Sequence, residues 1–193
     1  MRIETERLIL RDFVIEDWLT VLAYQRDPRY NRYYPDRWVD RSDDEVRAFV
    51  QRLIDYQREQ PRRIFQVAIT LPETGEVIGN CGIRRKPDTP QARSGVEADI
   101  GYELNPEYWG RGYATEVART LIAFGFRDLG LHRISAQCNA DNAASVNVLR
   151  KVGMRLEGRI REHEYFQGRW WDSLDWGLLE AEWLALSNGS VKG

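Results

Sequence analysis

The chain has 193 residues, 42% of them hydrophobic and 30% charged, with a formal net charge of -2. Such a composition describes a globular protein able to bury roughly 70% of its unfolded surface in one core. It offers neither a run of roughly 20 apolar residues for a membrane nor the basic excess of a nucleic-acid binder.

The opening Met1-Arg2-Ile3-Glu4 lacks the apolar core of a signal peptide. One domain over residues 1–193 is therefore expected, in the cytoplasm, as a monomer or homodimer, with neither membrane nor nucleic acid as partner. Cys81 and Cys138 are the only cysteines, and both fall in apolar, strand-like runs that suit buried thiols. His132 and His163 have no ligand-like spacing around them, so no metal is expected.

Glu4 to Phe13 alternates around Leu8 and Leu10 and reads as a first strand. Ile15 to Gln25 places Trp18, Leu19, Leu22 and Ala23 at helical spacing, and Asp27-Pro28 ends that helix. Arg29 to Trp38 carries four aromatics and three arginines without a clean period. It reads either as a loop packed over the core or as a wall of a substrate cleft. Ser42-Asp43-Asp44-Glu45 is a capping box, and Val46, Phe49, Val50, Leu53 and Ile54 form the stripe of the helix that follows, up to Pro61. Phe65 to Leu71 and Val77 to Arg84 read as an antiparallel hairpin around Pro72-Glu73-Thr74-Gly75. Lys86 to Ser94 is a polar, proline-containing loop.

Val96, Ala98, Ile100, Tyr102 and Leu104 then alternate as a strand, with Glu97, Asp99 and Glu103 on its opposite face. Those three carboxylates form either a solvated sheet face or an acidic wall that attracts an ammonium and raises one carboxyl toward the range of a base. Asn105-Pro106 breaks the strand, and Trp109-Gly110-Arg111-Gly112-Tyr113-Ala114 leads into a helix carrying Val117, Ala118, Leu121 and Ile122. Glycines at a strand-to-helix turn suit phosphate, because the helix start offers unpaired N–H groups and a positive dipole end. They also suit a tight turn alone. The stretch is no Walker loop, since no Gly-Lys-Ser/Thr follows. It lacks the third glycine of a dinucleotide fingerprint, where Thr115 stands, and hairpin strands precede it instead of βαβ units.

Gly130 caps that helix and His132 to Cys138 alternates as a further strand. Asn139-Ala140-Asp141-Asn142-Ala143-Ala144-Ser145 opens a helix with Val148, Leu149 and Val152 on its apolar side, ending at Gly153. Met154–Ile160, Glu164–Phe166 and Asp172–Leu179 read as closing strands, with Gln167-Gly168 as a turn, and a frayed tail is expected from about Glu182.

The loop at Trp109 to Ala114, with Asn142-x-x-Ser145 and Gly153-Met154 beyond it, resembles GCN5-related N-acetyltransferases (GNAT), in the branch similar to ribosomal-protein-alanine N-acetyltransferases. Trp109 stands where the family pattern has Arg or Gln. The opening Thr5-Glu6-Arg7-Leu8-Ile9-Leu10-Arg11 resembles the same branch, so the likeness runs over roughly residues 4 to 180.

The resemblance implies an α/β (α+β) single-domain fold. Its central sheet is mixed, mostly antiparallel, flanked by helices and splayed between the strands that flank the loop helix. It implies acetyl-CoA as co-substrate, held by Leu104, Trp109, Gly110, Arg111, Gly112, Tyr113, Ala114, Asn142 and Ser145. The implied reaction is direct acetyl transfer to a primary amine, on a protein N-terminus or a small molecule. The implied mechanism has a backbone N–H as oxyanion donor and a carboxylate or bound water as base; of the three carboxylates that alternation puts on one strand face, Glu103, nearest the end that leads into the loop, is the candidate, acting directly or through water. Many family members place a tyrosine one position past Val148 as the acid for the leaving thiolate. Leu149 cannot serve, and Ser145 is the candidate in its place. Asn142 and Ser145 also have purely local readings, as an N-cap and as a helix-start hydroxyl bonded to its own backbone. A non-catalytic acyl-CoA-binding module is the alternative function.

Overall fold

A computed structural model describes residues 1–34, 41–87 and 96–189. Its eight-stranded sheet comprises β1 (Arg2–Glu4), β2 (Ile9–Arg11), β3 (Ile64–Thr70), β4 (Val77–Arg85), β5 (Glu97–Leu104), β6 (Arg133–Asn139), β7 (Arg155–Phe166) and β8 (Arg169–Leu179). The spatial order is β1-β2-β3-β4-β5-β6-β8-β7, and every neighbouring pair is antiparallel except β5 with β6. This is the mixed, mostly antiparallel sheet expected.

Helices cover both faces, because alternate residues of each central strand are apolar on one side and mixed on the other. On one face α4 (Tyr113–Arg127) and α5 (Ala143–Lys151) bury Val117, Leu121, Ile122 and Leu149 against Val67, Cys81, Ile83, Ile100, Ile134 and Leu178. Gly125 lets α4 lie close, since a Cβ there would stand 2.7 Å from the Ile134 Cδ1 and 2.8 Å from the Ile83 Cδ1. On the other face α1 (Trp18–Gln25) and α3 (Asp43–Arg58) cover Ala68 and Val77 with Val21, Leu22, Val46, Val50 and Leu53. The Ser42 capping box forms: Ser42 Oγ accepts from the Glu45 N–H at 3.3 Å, and the Ser42 N–H donates to Glu45 Oε2 at 2.8 Å. The short α2 (Pro28–Asn31) follows α1, its N-terminus capped by Asp27.

Three expectations change. The first strand is a hairpin, β1 and β2, because the Thr5 hydroxyl and backbone N–H both bond to Leu8 and fold the chain at Glu6-Arg7; Leu8 and Leu10 are nonetheless buried. The three closing segments are two long strands. Pairing of β7 with β8 passes through a bulge where Glu162 takes a φ of 51° and gives its N–H to Asp172, which also binds Arg159. The expected frayed tail is helix α6 (Glu180–Gly189), fixed by Trp183 against Phe126 at 5.3 Å between ring centroids and by Arg127 above its ring. Pro35 to Trp38, and the part of the polar loop from Asp88 to Ser94, lie outside the described residues.

Candidate active site

β5 and β6 run parallel yet pair only through Glu97–Asp99 and Arg133–Ser135 among the described residues; beyond that they diverge. Backbone polarity alternates along β5. Glu97 and Asn105 bond toward β4, whereas the Val96 and Ala98 carbonyls accept from His132, Arg133 and Ser135 on the β6 side. Continuing that alternation, Ile100, Tyr102 and Leu104 turn their N–H and C=O groups into the gap, where no strand pairs with them. An open peptide edge of this kind accepts an extended, amide-bearing ligand as though it were a strand.

The glycine loop stands at the mouth of this gap. Gly110 and Gly112 take φ of 76° and 82°, in the left-handed region, and Gly112 is the N-cap of α4. Among the described residues, none of the five N–H groups from Gly110 to Ala114 has an acceptor within the protein. Trp109 is 46% exposed, and its Nε1–H donates to the Leu104 carbonyl at 2.8 Å, which fastens the loop to the end of β5. Behind the loop, Arg7 donates to the Arg111 carbonyl at 3.0 Å and pairs with Glu116 at 2.7 Å. Glu116 also accepts from Thr5 at 2.6 Å and from the Arg7 N–H at 2.8 Å. Partial burial pushes the Glu116 carboxyl up, but these bonds outweigh it and hold it below the usual range. Nothing in the local sequence ties Arg7 to the loop; the pairing exists only because the β1–β2 turn lies beside α4.

Loop and gap open into one cleft of about 1290 Å³. Leu104, Trp109, Gly110, Gly112, Tyr113, Ala114, Asn142, Ser145 and Glu103 all line it, and Arg111 does not. The Arg111 guanidinium instead reaches the Glu107 carbonyl at 3.1 Å and covers the Tyr108 ring. Asn142 is the N-cap of α5, its Oδ1 accepting from the Ser145 N–H at 3.1 Å, and it borders the cleft as well. Ser145 Oγ lies 3.0 Å from the Tyr102 hydroxyl. Leu149 is 1% exposed and sits in the core.

Because successive residues of a strand face opposite ways, Glu103 meets the cleft from the α1 side and Tyr102 from the α5 side. Glu103 accepts from the Tyr30 hydroxyl at 2.5 Å and from Asn80 Nδ2 at 2.9 Å, and Asn80 in turn donates to the Tyr24 hydroxyl at 3.0 Å. Burial pushes the Glu103 carboxyl above the usual range, and the bonds from Tyr30 and Asn80 oppose that rise. The acidic wall expected from strand alternation is not a set of three free carboxylates. Asp99 is held by Arg84 through Nε at 2.8 Å, and Glu97 is outside the cleft lining. Arg29, Tyr30, Arg32, Tyr33 and Tyr34 form the adjoining wall. Gln167 in the β7–β8 turn ties that wall down by donating to the Asn31 carbonyl at 3.1 Å. Tyr24 and Asn80 stand at ordinary core positions that carry no sequence signal, whereas Tyr30 belongs to the Arg29–Trp38 stretch read as a possible cleft wall.

A split parallel strand pair, with free amides at the head of the helix that joins them, is an α/β arrangement suited to an extended, anionic ligand. The family model described as "Acetyltransferase (GNAT) domain" matches residues 7–155. The chain is 34% identical to the uncharacterised N-acetyltransferase p20 of Bacillus licheniformis over 180 residues, covering 93% of this chain and 96% of that one. It superposes on a GNAT-family acetyltransferase from Bacillus anthracis with a TM-score of 0.76 at 29% identity, over 94% and 99% of the two chains. It shares its fold, with a TM-score of 0.78 at 22% identity over 93% and 98%, with a ribosomal alpha-N-protein acetyltransferase in complex with coenzyme A. The chain belongs to the GNAT acetyltransferase family and is an N-acetyltransferase.

Proposed function

We propose that the protein moves the acetyl group of acetyl-CoA directly to a primary amine, borne by a protein N-terminus or a small molecule. The observation that carries this reading is the row of five unpartnered amides from Gly110 to Ala114, opening onto the unpaired edge of β5. Those amides suit a diphosphate, and the edge suits the two amides of a pantetheine arm. The ribosomal alpha-N-protein acetyltransferase of the same fold is complexed with coenzyme A, which supports the same donor here.

In this reading the amine nitrogen attacks the thioester carbonyl carbon, a β5 backbone N–H in the gap receives the developing oxyanion, and the C–S bond breaks with its electron pair leaving on sulfur. Glu103, raised by burial toward the range of a useful base, takes the ammonium proton directly or through a water. Ser145 faces the sulfur from the opposite side of the gap. With Asp99 tied to Arg84, Glu103 presents one partly buried carboxylate to one ammonium.

Titration calorimetry with CoA, acetyl-CoA and NAD, followed by CoA release across a panel of amines and peptide N-termini, tests the reading. Binding of both CoA species raises thermal stability by linkage, and NAD does not. No heat from either CoA species, or tight NAD binding, overturns it.

A further inference from the structure

The family-implied view of Ser145 is a proton donor to the leaving thiolate, and the local view is a hydroxyl spent on its own helix. The contacts bear on the second: the Ser145 hydroxyl meets Tyr102. The capping duty belongs to Asn142, whose Oδ1 takes the Ser145 N–H. Ser145 Oγ lies 3.0 Å from the phenol oxygen of Tyr102, which is also 3.5 Å from the Ser145 carbonyl. Burial pushes the Tyr102 phenol up to about 12, against the opposing bond with Ser145, so the phenol keeps its proton, and either hydroxyl of the pair can be the donor. When the phenol donates to Ser145 Oγ, the serine's own O–H is left to the Cys138 thiol or to the cleft, which all three side chains line.

We propose that Tyr102 is a positioning residue: by donating to Ser145 Oγ it aims the serine O–H at the departing sulfur, so that CoA leaves as a hydrogen-bonded thiolate. This rests on the proposed acetyl-CoA reaction. No proton need change hands in the pair, since a serine hydroxyl and a buried phenol both hold their protons more tightly than a thiol does. The pair acts as preorganised donors whose bonds strengthen as charge develops on sulfur. The thiolate is then protonated from solvent after release. Around the sulfur-facing hydroxyl stand Ser145 from α5, Tyr102 from β5, Cys138 from β6 and Trp176 from β8. Burial pushes the Cys138 thiol up, and bonds from Trp176 and Ser145 oppose that rise; Arg150 lies over the Trp176 ring at 6.0 Å.

The test compares wild type, Tyr102→Phe, Ser145→Ala and the double variant, all on the full chain. Each single variant lowers kcat about tenfold, the scale of one bond to a charged group, with KM for acetyl-CoA unchanged, and the double variant is no slower than Ser145→Ala. The second readout needs no turnover: the ratio of CoA to acetyl-CoA affinity between pH 7 and pH 10. In wild type the ratio moves toward CoA by about tenfold as the bound thiol ionises, and Tyr102→Phe flattens it. Acetyl-CoA, having no thiol, cancels the titration of neighbouring groups. Losses that multiply in the double variant, or a ratio equally pH-dependent in wild type and Tyr102→Phe, overturn the inference. Wild type that binds no CoA species overturns the parent reading instead.

Discussion

The two sides of the cleft are made of different material. On the proposed donor side, Gly110 to Ala114 present N–H groups without an acceptor among the described residues, and the edge of β5 presents main-chain groups that no described strand pairs. On the acceptor side, Glu103 is already engaged by Tyr30 and Asn80, and Asp99 by Arg84. A main-chain site tolerates changes of side chain but not of φ. A side-chain network tolerates backbone neighbours but not the loss of a functional group. Substitutions on the two sides should therefore fail in different ways.

The largest expected effect lies on the acceptor side. Glu103→Gln keeps size and the acceptor for Tyr30 but removes the base, so kcat/KM for the amine should fall by about a hundredfold while CoA affinity is retained. The acidic limb of the pH–rate profile that reports Glu103 ionisation should vanish with it. An unchanged rate and profile with a verified amine would place the base elsewhere.

Next comes Gly112. Its φ of 82° is the constraint, since an added Cβ would meet only the Arg7 Nη2 atom, at 3.4 Å. Gly112→Val should cost about 1–3 kcal/mol of loop conformation, read as a roughly tenfold or greater loss of CoA affinity by calorimetry. Gly112→Asn, whose side chain accepts left-handed backbone more readily, should lose less. Equal losses from the two variants would point to bulk against the ligand and not to φ.

This contrast also explains what was legible beforehand. Gly110 and Gly112 announce the loop because glycine is the residue that left-handed φ demands, and Ser42 with Glu45 announces α3 because a capping box is local. The Glu103–Asn80–Tyr24 chain and the Tyr102–Ser145 contact join residues 23, 56 and 43 positions apart, so no window of sequence contains them. Strand alternation correctly put Glu103 and Tyr102 on opposite faces. It could not show that Arg84, paired opposite Asp99 on β4, neutralises that carboxylate. Helix α6 was missed because Trp183 owes its order to Phe126 and Arg127 on α4.

Arg7→Ala should have a smaller effect, on the support behind the loop. The Arg7 side chain is 44% exposed, so solvent screens its pair with Glu116 and the pair adds little to stability. A Tm drop of roughly 2–4 °C and a few-fold loss of CoA affinity are expected. The Glu116 carboxyl is held below its ordinary range, so its contribution is present at neutral pH and is lost as pH falls through that lowered pKa. The gap between wild type and Arg7→Ala should accordingly narrow in acid. A gap that is constant from neutral pH to acid would assign Arg7 a packing role over Tyr113, 4.8 Å from its ring.

The smallest effect tests the acceptor side at equilibrium, without any substrate. Burial raises the Glu103 carboxyl in the folded state, so the folded protein binds that proton more tightly than the unfolded chain, whose glutamate titrates near about 4.3. The sign follows by linkage: the stability Glu103 contributes is fully present below the unfolded pKa and is lost as pH rises through the folded one. Glu103→Gln has no such proton. Urea midpoints measured at pH 4 and pH 8 should therefore show wild type gaining on Glu103→Gln in acid and losing ground toward pH 8, by about 1.4 kcal/mol for every tenfold by which the folded state binds the proton more tightly. If the difference ran the other way, with wild type gaining as pH rises, the bonds from Tyr30 and Asn80 would have overcome burial and would hold Glu103 as a stable carboxylate. A carboxylate held that firmly is a poor base, and the acceptor side would then serve to bind the ammonium while the proton leaves by water.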